Sequence, residues 1–191
     1  MKDRMDAERL RIFEWLDSRM LFGIKAGLEN IQELCRRLDN PQRCFRSVHV
    51  VGTNGKGSTA YWLAAILSAH GENCGLFTSP HLVSVRERLR IGDQVIEAEV
   101  FVRLLEEIRS VSEQYPQIPI TFFEVLTAAA FLWFKERKVS IAVLEAGLGG
   151  RLDSTQPAMG EWTILCSIGL DHRDILGDTE DLIFAEKLAI W

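Results

Sequence analysis

The sequence lacks a C-x-x-C pair, a positive charge surplus, an apolar run of membrane length, and any internal repeat or low-complexity tract. Its four cysteines, Cys35, Cys44, Cys74 and Cys166, fall mostly in apolar contexts, which predicts buried free thiols in a reducing compartment. With 22 Lys+Arg against 27 Asp+Glu the net charge is -5, which argues against a nucleic-acid partner but leaves room for a local basic pocket for phosphate. The segment Met1 to Asp6 leads into charged residues rather than an apolar signal core, and no stretch is long enough to cross a bilayer. The expectation is a cytoplasmic protein with no membrane partner.

What is present suits one domain. The chain has 191 residues, 47% hydrophobic and 26% charged, enough for one soluble α/β domain with a sizeable core and no dividing linker. Apolar spacing predicts helices over Ala7 to Leu16 and Leu28 to Leu38, the second ended by Asp39-Asn40-Pro41. Between them Phe22 to Gly27 reads as a loop. Val48 to Val51 reads as a core strand. Thr59 to Ala69 is a helix so apolar that burial on most sides is expected, and Gly75 to Thr78 is a short strand. Arg86 to Ile96 reads as an exposed loop with a small hairpin around Gly92-Asp93. Its arginines 86, 88 and 90 could grip an anionic substrate or simply form a solvated face. Helices over Glu97 to Ser112 and Phe122 to Glu136 flank a linker at Tyr115 to Pro119. Glu124, set among aromatics, is either a paired buried acid or a functional one. Val139 to Leu144 and Thr163 to Ile168 complete the strands. Strands alternating with helices predict an α/β fold, a mostly parallel sheet with helices on both faces.

The chain is organised around the stretch from Ser47 to Thr59, an apolar run that breaks into glycines and then opens a helix. Gly52, Gly55 and Gly57 allow a tight turn whose N–H groups, with Thr53, Asn54 and the helix N-terminus, suit a polyphosphate. Lys56 supplies a mobile ammonium for the β/γ-phosphates, and Ser58 and Thr59 are hydroxyl donors in the first turn. A glycine-rich turn with a chance lysine is the alternative. The spacing departs from G-x-x-x-x-G-K-[ST]: Val50 replaces the first glycine and Gly57 follows the lysine. The hydroxyl that would hold Mg²⁺ in the common pattern is therefore missing, and metal ligands must come from elsewhere. Glu145 ends a core strand, at the edge where open α/β sheets bind ligands, and His172 follows the next core strand. A histidine in that place is either a ligand or a structural residue.

Five segments together resemble the folylpolyglutamate synthase and dihydrofolate synthase family, a branch of the ATP-dependent Mur-type ligases. They are Phe22 to Glu29, Gly52 to Thr59, Leu76 to Leu82, Glu145 to Asp153, and Ser167 to His172 with Leu176 to Thr179. The resemblance runs in order from about residue 20 to the last residue. It implies an ATP-dependent amide ligase that phosphorylates a pterin-linked or folate carboxylate, so that the amino group of glutamate can displace phosphate. Charge neutralisation around the γ-phosphate is what that transfer requires. Carried over by motif, Lys56 holds the β/γ-phosphates, Ser79 and Glu145 hold one Mg²⁺, and His172 a second. The resemblance also aligns Lys187 with a lysine that is carbamylated in the family. Here it is followed by Leu188-Ala189 instead of Ala-Gly, and Gln156 stands in place of Asn. A plain surface lysine near a frayed terminus is the other reading of Lys187.

Family members continue into a second, smaller domain, so residues 1–191 are expected to form the N-terminal ATP-binding domain alone, with an exposed apolar patch where the other domain would dock. A stand-alone or inactive nucleotide-binding fragment remains an alternative, as does another Mur-type ligase. Against the latter stand the Thr78 to His81 segment and the arginine-rich hairpin. The implied partners are small molecules: ATP, a pterin or folate acceptor, and glutamate.

Overall fold

A computed structural model describes residues 2–23 and 27–190, with side chains from residue 9 onward. Helix α1 (Lys2–Ser18) is longer than the Ala7 to Leu16 expected and buries Ile12 and Leu16. Helix α2 (Glu29–Arg37) buries Ile31, Leu34 and Cys35, the face its spacing predicts. Of the loop motif between them, Ile24, Lys25 and Ala26 lie outside the described residues, as does the terminal Trp191.

Strand β1 (Arg46–Val51) is buried at every position but its first. Helix α3 (Lys56–Ala69) leads to β2 (Cys74–Phe77), and β3 (Leu89–Ile91) and β4 (Gln94–Val95) follow a short 3-10 turn at Val85–Arg88. Two long helices come next, α4 (Ala98–Gln114) and α5 (Phe122–Glu136), then β5 (Ile141–Glu145) and β6 (Trp162–Leu165). The sheet order is β4-β3-β2-β5-β1-β6. Strands β2, β5, β1 and β6 run parallel, with β1 and β5 registered so that Val50 lies opposite Glu145. The hairpin does not stand apart as an exposed loop. Strand β3 pairs antiparallel with β2, so the hairpin widens the sheet.

The sheet separates two unequal cores. On one side α1, α2, α4 and α5 enclose Leu34, Phe101, Leu104, Phe131 and Phe134 against Phe77 and Leu144. Gly75 permits the close seating of α5, since a Cβ there would meet the Phe134 ring at 2.9 Å. Glu124 takes a structural role in α5: its Oε2 accepts from Thr121 N at 2.7 Å and its own N–H donates to Thr121 Oγ1 at 3.3 Å, a capping box. On the other side α3 alone among the described helices supplies buried core residues, Ala60 and Ala64, over Val48, Val50, Leu76 and Val143.

That imbalance corrects the expectation for α3. Tyr61, Trp62 and Ile66 are 46%, 66% and 53% exposed, because a helix lying singly on a sheet can bury only one stripe however apolar its other positions. Cysteine burial is also partial. All four are free and Cys35 and Cys74 are buried, with burial pushing each thiol up to about 12, but Cys44 is exposed just beyond the turn at Pro41–Arg43. Among the described residues no helix is long and apolar enough to cross a membrane.

Candidate nucleotide and acceptor site

The glycine loop joins the C-terminal end of β1 to α3. Gly55 is the N-cap of α3 with φ 82°, a left-handed conformation that favours glycine. Two of the loop's N–H groups are already committed: Thr53 N donates to Ser167 O at 2.9 Å and Asn54 N to Ser167 Oγ at 2.9 Å. Thr53 Oγ1 and Gly169 exchange hydrogen bonds at 3.0 and 3.1 Å, so the segment after β6 braces the loop from the side. Among the described residues no acceptor takes the N–H groups of Gly55, Lys56, Gly57 and Ser58. These open the helix and form the available anion cradle. Ser58 and Thr59 sit in its first turn, as the sequence suggests.

Lys56 Nζ turns back on its own loop and donates to Gly52 O at 3.0 Å and Thr53 O at 3.2 Å. A phosphate in the cradle would draw it outward. Glu145, the last residue of β5, lies opposite and is buried. Its Oε2 accepts from Ser79 N at 2.8 Å. Burial raises its pKa, opposed by the Ser79 hydrogen bond and then by the charges of Lys56 and Arg88. A Cβ at Gly57 would lie 3.4 Å from Glu145 Oε2. The position where the common motif carries a hydroxyl is thus the one that faces this carboxylate, and glycine leaves it room.

Ser79 and Glu145 are therefore in contact through the Ser79 N–H, whereas no hydrogen bond among the described residues joins His172 to either of them. It is the N-cap of the short helix α6 (Arg173–Leu176), half-exposed, with Nε2 3.7 Å from Asp171 Oδ2. Together with Asp171, Lys56 and Lys187 it lines a narrow cleft beside Gly52 and Gly147 to Gly149. Lys187, on α7 (Glu180–Leu188), is not a surface lysine at a frayed end. It is 4% exposed and its Nζ donates to Gly52 O at 3.0 Å. Burial pushes its pKa down, Lys56 adds to that, and Asp171 and Asp153 oppose it. Helix α7 is docked by Arg151, whose N donates to Glu186 O and whose Nε donates to Glu186 Oε2 at 3.0 Å.

Two residues that sequence reasoning passed over shape the site. Asp153 is fully buried; Oδ2 accepts from Gly147 N and Leu148 N at 2.8 and 3.0 Å, and Oδ1 from Thr155 N and Oγ1 at 2.9 and 2.6 Å. It thereby ties down the loop that follows Glu145. Its link to Thr155, two residues on, is the Asx-turn geometry that could have flagged it. Arg88, weighed only as one of three arginines, is buried and lines a cavity of about 580 Å³ together with Ser79, Thr121, Phe122, Phe123 and Asp153.

The donor set suits a hard cation only in company. No group of three His, Cys, Asp or Glu among the described residues could hold a metal. A carboxylate and a hydroxyl supply oxygens, and Mg²⁺ commonly takes one or two such protein ligands, with phosphate and water completing its shell.

This sheet, with helices on both sides and a phosphate-type loop between β1 and α3, defines a Mur-ligase-type nucleotide-binding fold. The chain is 39% identical over 180 residues to the dihydrofolate synthase/folylpolyglutamate synthase of Bacillus subtilis (strain 168), covering 92% of the chain and 42% of that protein. Among solved structures it superposes on E. coli FolC in complex with DHPP and ADP with a TM-score of 0.87 and 35% identity, covering 94% of this chain and 44% of that one. For L. casei FPGS the TM-score is 0.88 at 33% identity, with 95% and 45% covered. No family model matches. Over most of its length the chain is similar to the N-terminal portion of folylpolyglutamate/dihydrofolate synthases, and it spans about two fifths of the length of the curated relatives it matches.

Proposed function

We propose that this chain is the ATP-binding domain of an amide ligase that joins L-glutamate to dihydropteroate or a folate through an acyl phosphate. The observation that carries the reading is the run of four free N–H groups at the start of α3, with Lys56 beside it and Glu145 and Ser79 facing it. In the proposed reaction an acceptor carboxylate oxygen attacks the γ-phosphorus and ADP leaves; glutamate's amine then attacks the acyl carbon and inorganic phosphate leaves. The N–H groups of residues 55–58 cradle the phosphates, and Lys56 swings from Gly52 O to the β/γ-oxygens. Ser79 and Glu145 would hold Mg²⁺, with His172 contributing at a second position on the cleft side. Mg²⁺ supplies charge neutralisation to the transferring phosphoryl group. The cavity beside Ser79 takes the acceptor.

Lys187 fits the carbamylated role that the family resemblance assigns it. A buried amine whose pKa is depressed is more readily neutral, and only the neutral amine attacks CO₂, releasing one proton as the carbamate forms. The new carboxylate-like group would face Lys56 and relieve the pairing of two cations. The rest of the enzyme, as the longer relatives carry it, would bind glutamate and shield the acyl phosphate from water.

The test is calorimetric titration with Mg-ATP, followed by mass-resolved product analysis with ATP, glutamate and each pterin acceptor. The 191-residue chain is expected to bind nucleotide and to add little or no glutamate. Absence of nucleotide binding would overturn the reading. Robust glutamylation by this chain alone would overturn the division of labour.

A further inference from the structure

Strand β1 is apolar at Val48, Val50 and Val51, yet it carries a fully buried histidine, His49. Burying an imidazole in a core strand costs free energy unless its polar atoms are used. Only one side of this ring is used. Nε2 lies 3.0 Å from Thr155 O, and since a carbonyl can only accept, the proton sits on Nε2. Nδ1 is buried with no partner among the described residues, and a Cβ at Gly160 would overlap it. The ring is thus held in one tautomer with its single donor aimed at one carbonyl.

That carbonyl belongs to a clasp. Thr155 N and Oγ1 donate to Asp153 Oδ1, and Asp153 Oδ2 accepts from Gly147 N and Leu148 N. Residues 147–149 follow closely on Glu145 and wall the narrow cleft that holds Lys56 and Lys187. His49 lies three residues before Gly52, on the strand that leads into the glycine loop. One strand therefore fixes both walls of the cleft, the first through its backbone and the second through one imidazole. Ser47, which points to the same side of β1, donates to Ala158 O at 3.1 Å and holds the far end of the same connection.

We propose that His49 is a positioning residue for the nucleotide and metal site: its Nε2–H, acting through Thr155 and Asp153, sets the 147–149 peptide against the glycine loop. This rests on the ligase reading and adds to it a residue that touches neither nucleotide nor metal. Outer partners of this kind decide how well the groups in front of them are presented, and their loss costs about ten- to a hundredfold in metal affinity or activity.

The experiment titrates the 191-residue chain and two variants with Mg-ATP. His49→Gln keeps an N–H donor near the place of Nε2 and should bind within about twofold of wild type, whereas His49→Leu fills the space without a donor and should bind roughly tenfold more weakly. Hydrogen exchange supplies the readout that a packing role alone would not move. In folded His49→Leu the amides of Gly147 and Leu148 should exchange faster while those of α5 keep their protection. Equal Mg-ATP affinity of wild type and folded His49→Leu overturns the assignment, and so does an equal loss in both variants or unchanged exchange at Gly147 and Leu148. One further measurement needs no variant to fold: at neutral pH the ring-nitrogen NMR shifts of wild-type His49 should report a proton on Nε2 and a bare Nδ1, and the opposite tautomer overturns the assignment alone. Failure of wild type to bind Mg-ATP overturns the nucleotide reading and this assignment with it.

Discussion

Lys56 Nζ and Lys187 Nζ each donate to the same carbonyl oxygen, that of Gly52, at 3.0 Å. One lysine opens the helix after the glycine loop and the other comes from the last helix described, so a single backbone oxygen holds two ammonium groups. Their mutual repulsion contributes to lowering the Lys187 pKa, after burial. An arrangement of this kind favours an arriving polyanion, because a phosphate offers charged acceptors to two cations that share one neutral carbonyl oxygen.

Lys56→Ala should therefore weaken Mg-ATP binding. Losing a charge-assisted contact to phosphate costs about 2 kcal/mol or more, since the phosphate loses a direct partner. Calorimetric titration of the variant checks this; unchanged affinity would remove Lys56 from the phosphate site.

Glu145→Gln should lower the dependence of nucleotide affinity on Mg²⁺ while leaving metal-free ATP binding equal or tighter, because a carboxylate that repels phosphate is gone. Titrations with and without Mg²⁺ read the difference, and an unaltered Mg²⁺ effect in Glu145→Gln would dismiss Glu145 as a ligand.

Gly150→Ala should destabilise the chain and loosen α7. A Cβ at Gly150 would overlap the backbone carbonyl of Lys187, which no side-chain rotation can relieve. Overpacking of this kind costs about 1–3 kcal/mol. A lowered Tm, with faster hydrogen exchange across 180–188, is the expected outcome; an unshifted Tm would mean that α7 docks differently.

His49 should make stability fall with acid. It lies fully buried in β1, with Nε2 3.0 Å from Thr155 O, and burial depresses its pKa below the usual 6.5 despite that bond and Asp153. The unfolded chain then binds more protons than the folded one as pH drops from 6.5 through the folded value, so stability is lost over that interval. His49→Gln does not titrate, and denaturant melts of the two proteins at stepped pH should show a shallower slope for the variant. Equal slopes would exclude His49 as the source.

Much of this was legible in the chain. Glycines at 52, 55 and 57 before an apolar helix, and an acid ending a β-branched strand, encode local geometry, and local geometry is what spacing can carry. The range Phe122–Glu136 for α5 follows from the same logic, since Thr121 and Glu124 write a capping box into the sequence. The burial of α3 was not legible, because apolar content says how much surface could be covered and nothing about how many neighbours arrive to cover it.

The sequence by itself determined the alternation of strands and helices, the loop that opens α3, and the place of Glu145 at a strand end, all set by residue types close together in the chain. Only the tertiary structure decided which long-range partners meet. It brought Ser167 to the Thr53 and Asn54 amides, set Glu145 against Gly57 and Ser79, buried Arg88 in the cavity wall, and carried Lys187 to Gly52. Those contacts join residues far apart in sequence. They exist because the parallel sheet delivers the C-terminal ends of β1, β5 and β6 to one edge, a consequence of topology and packing that no local pattern of residues contains.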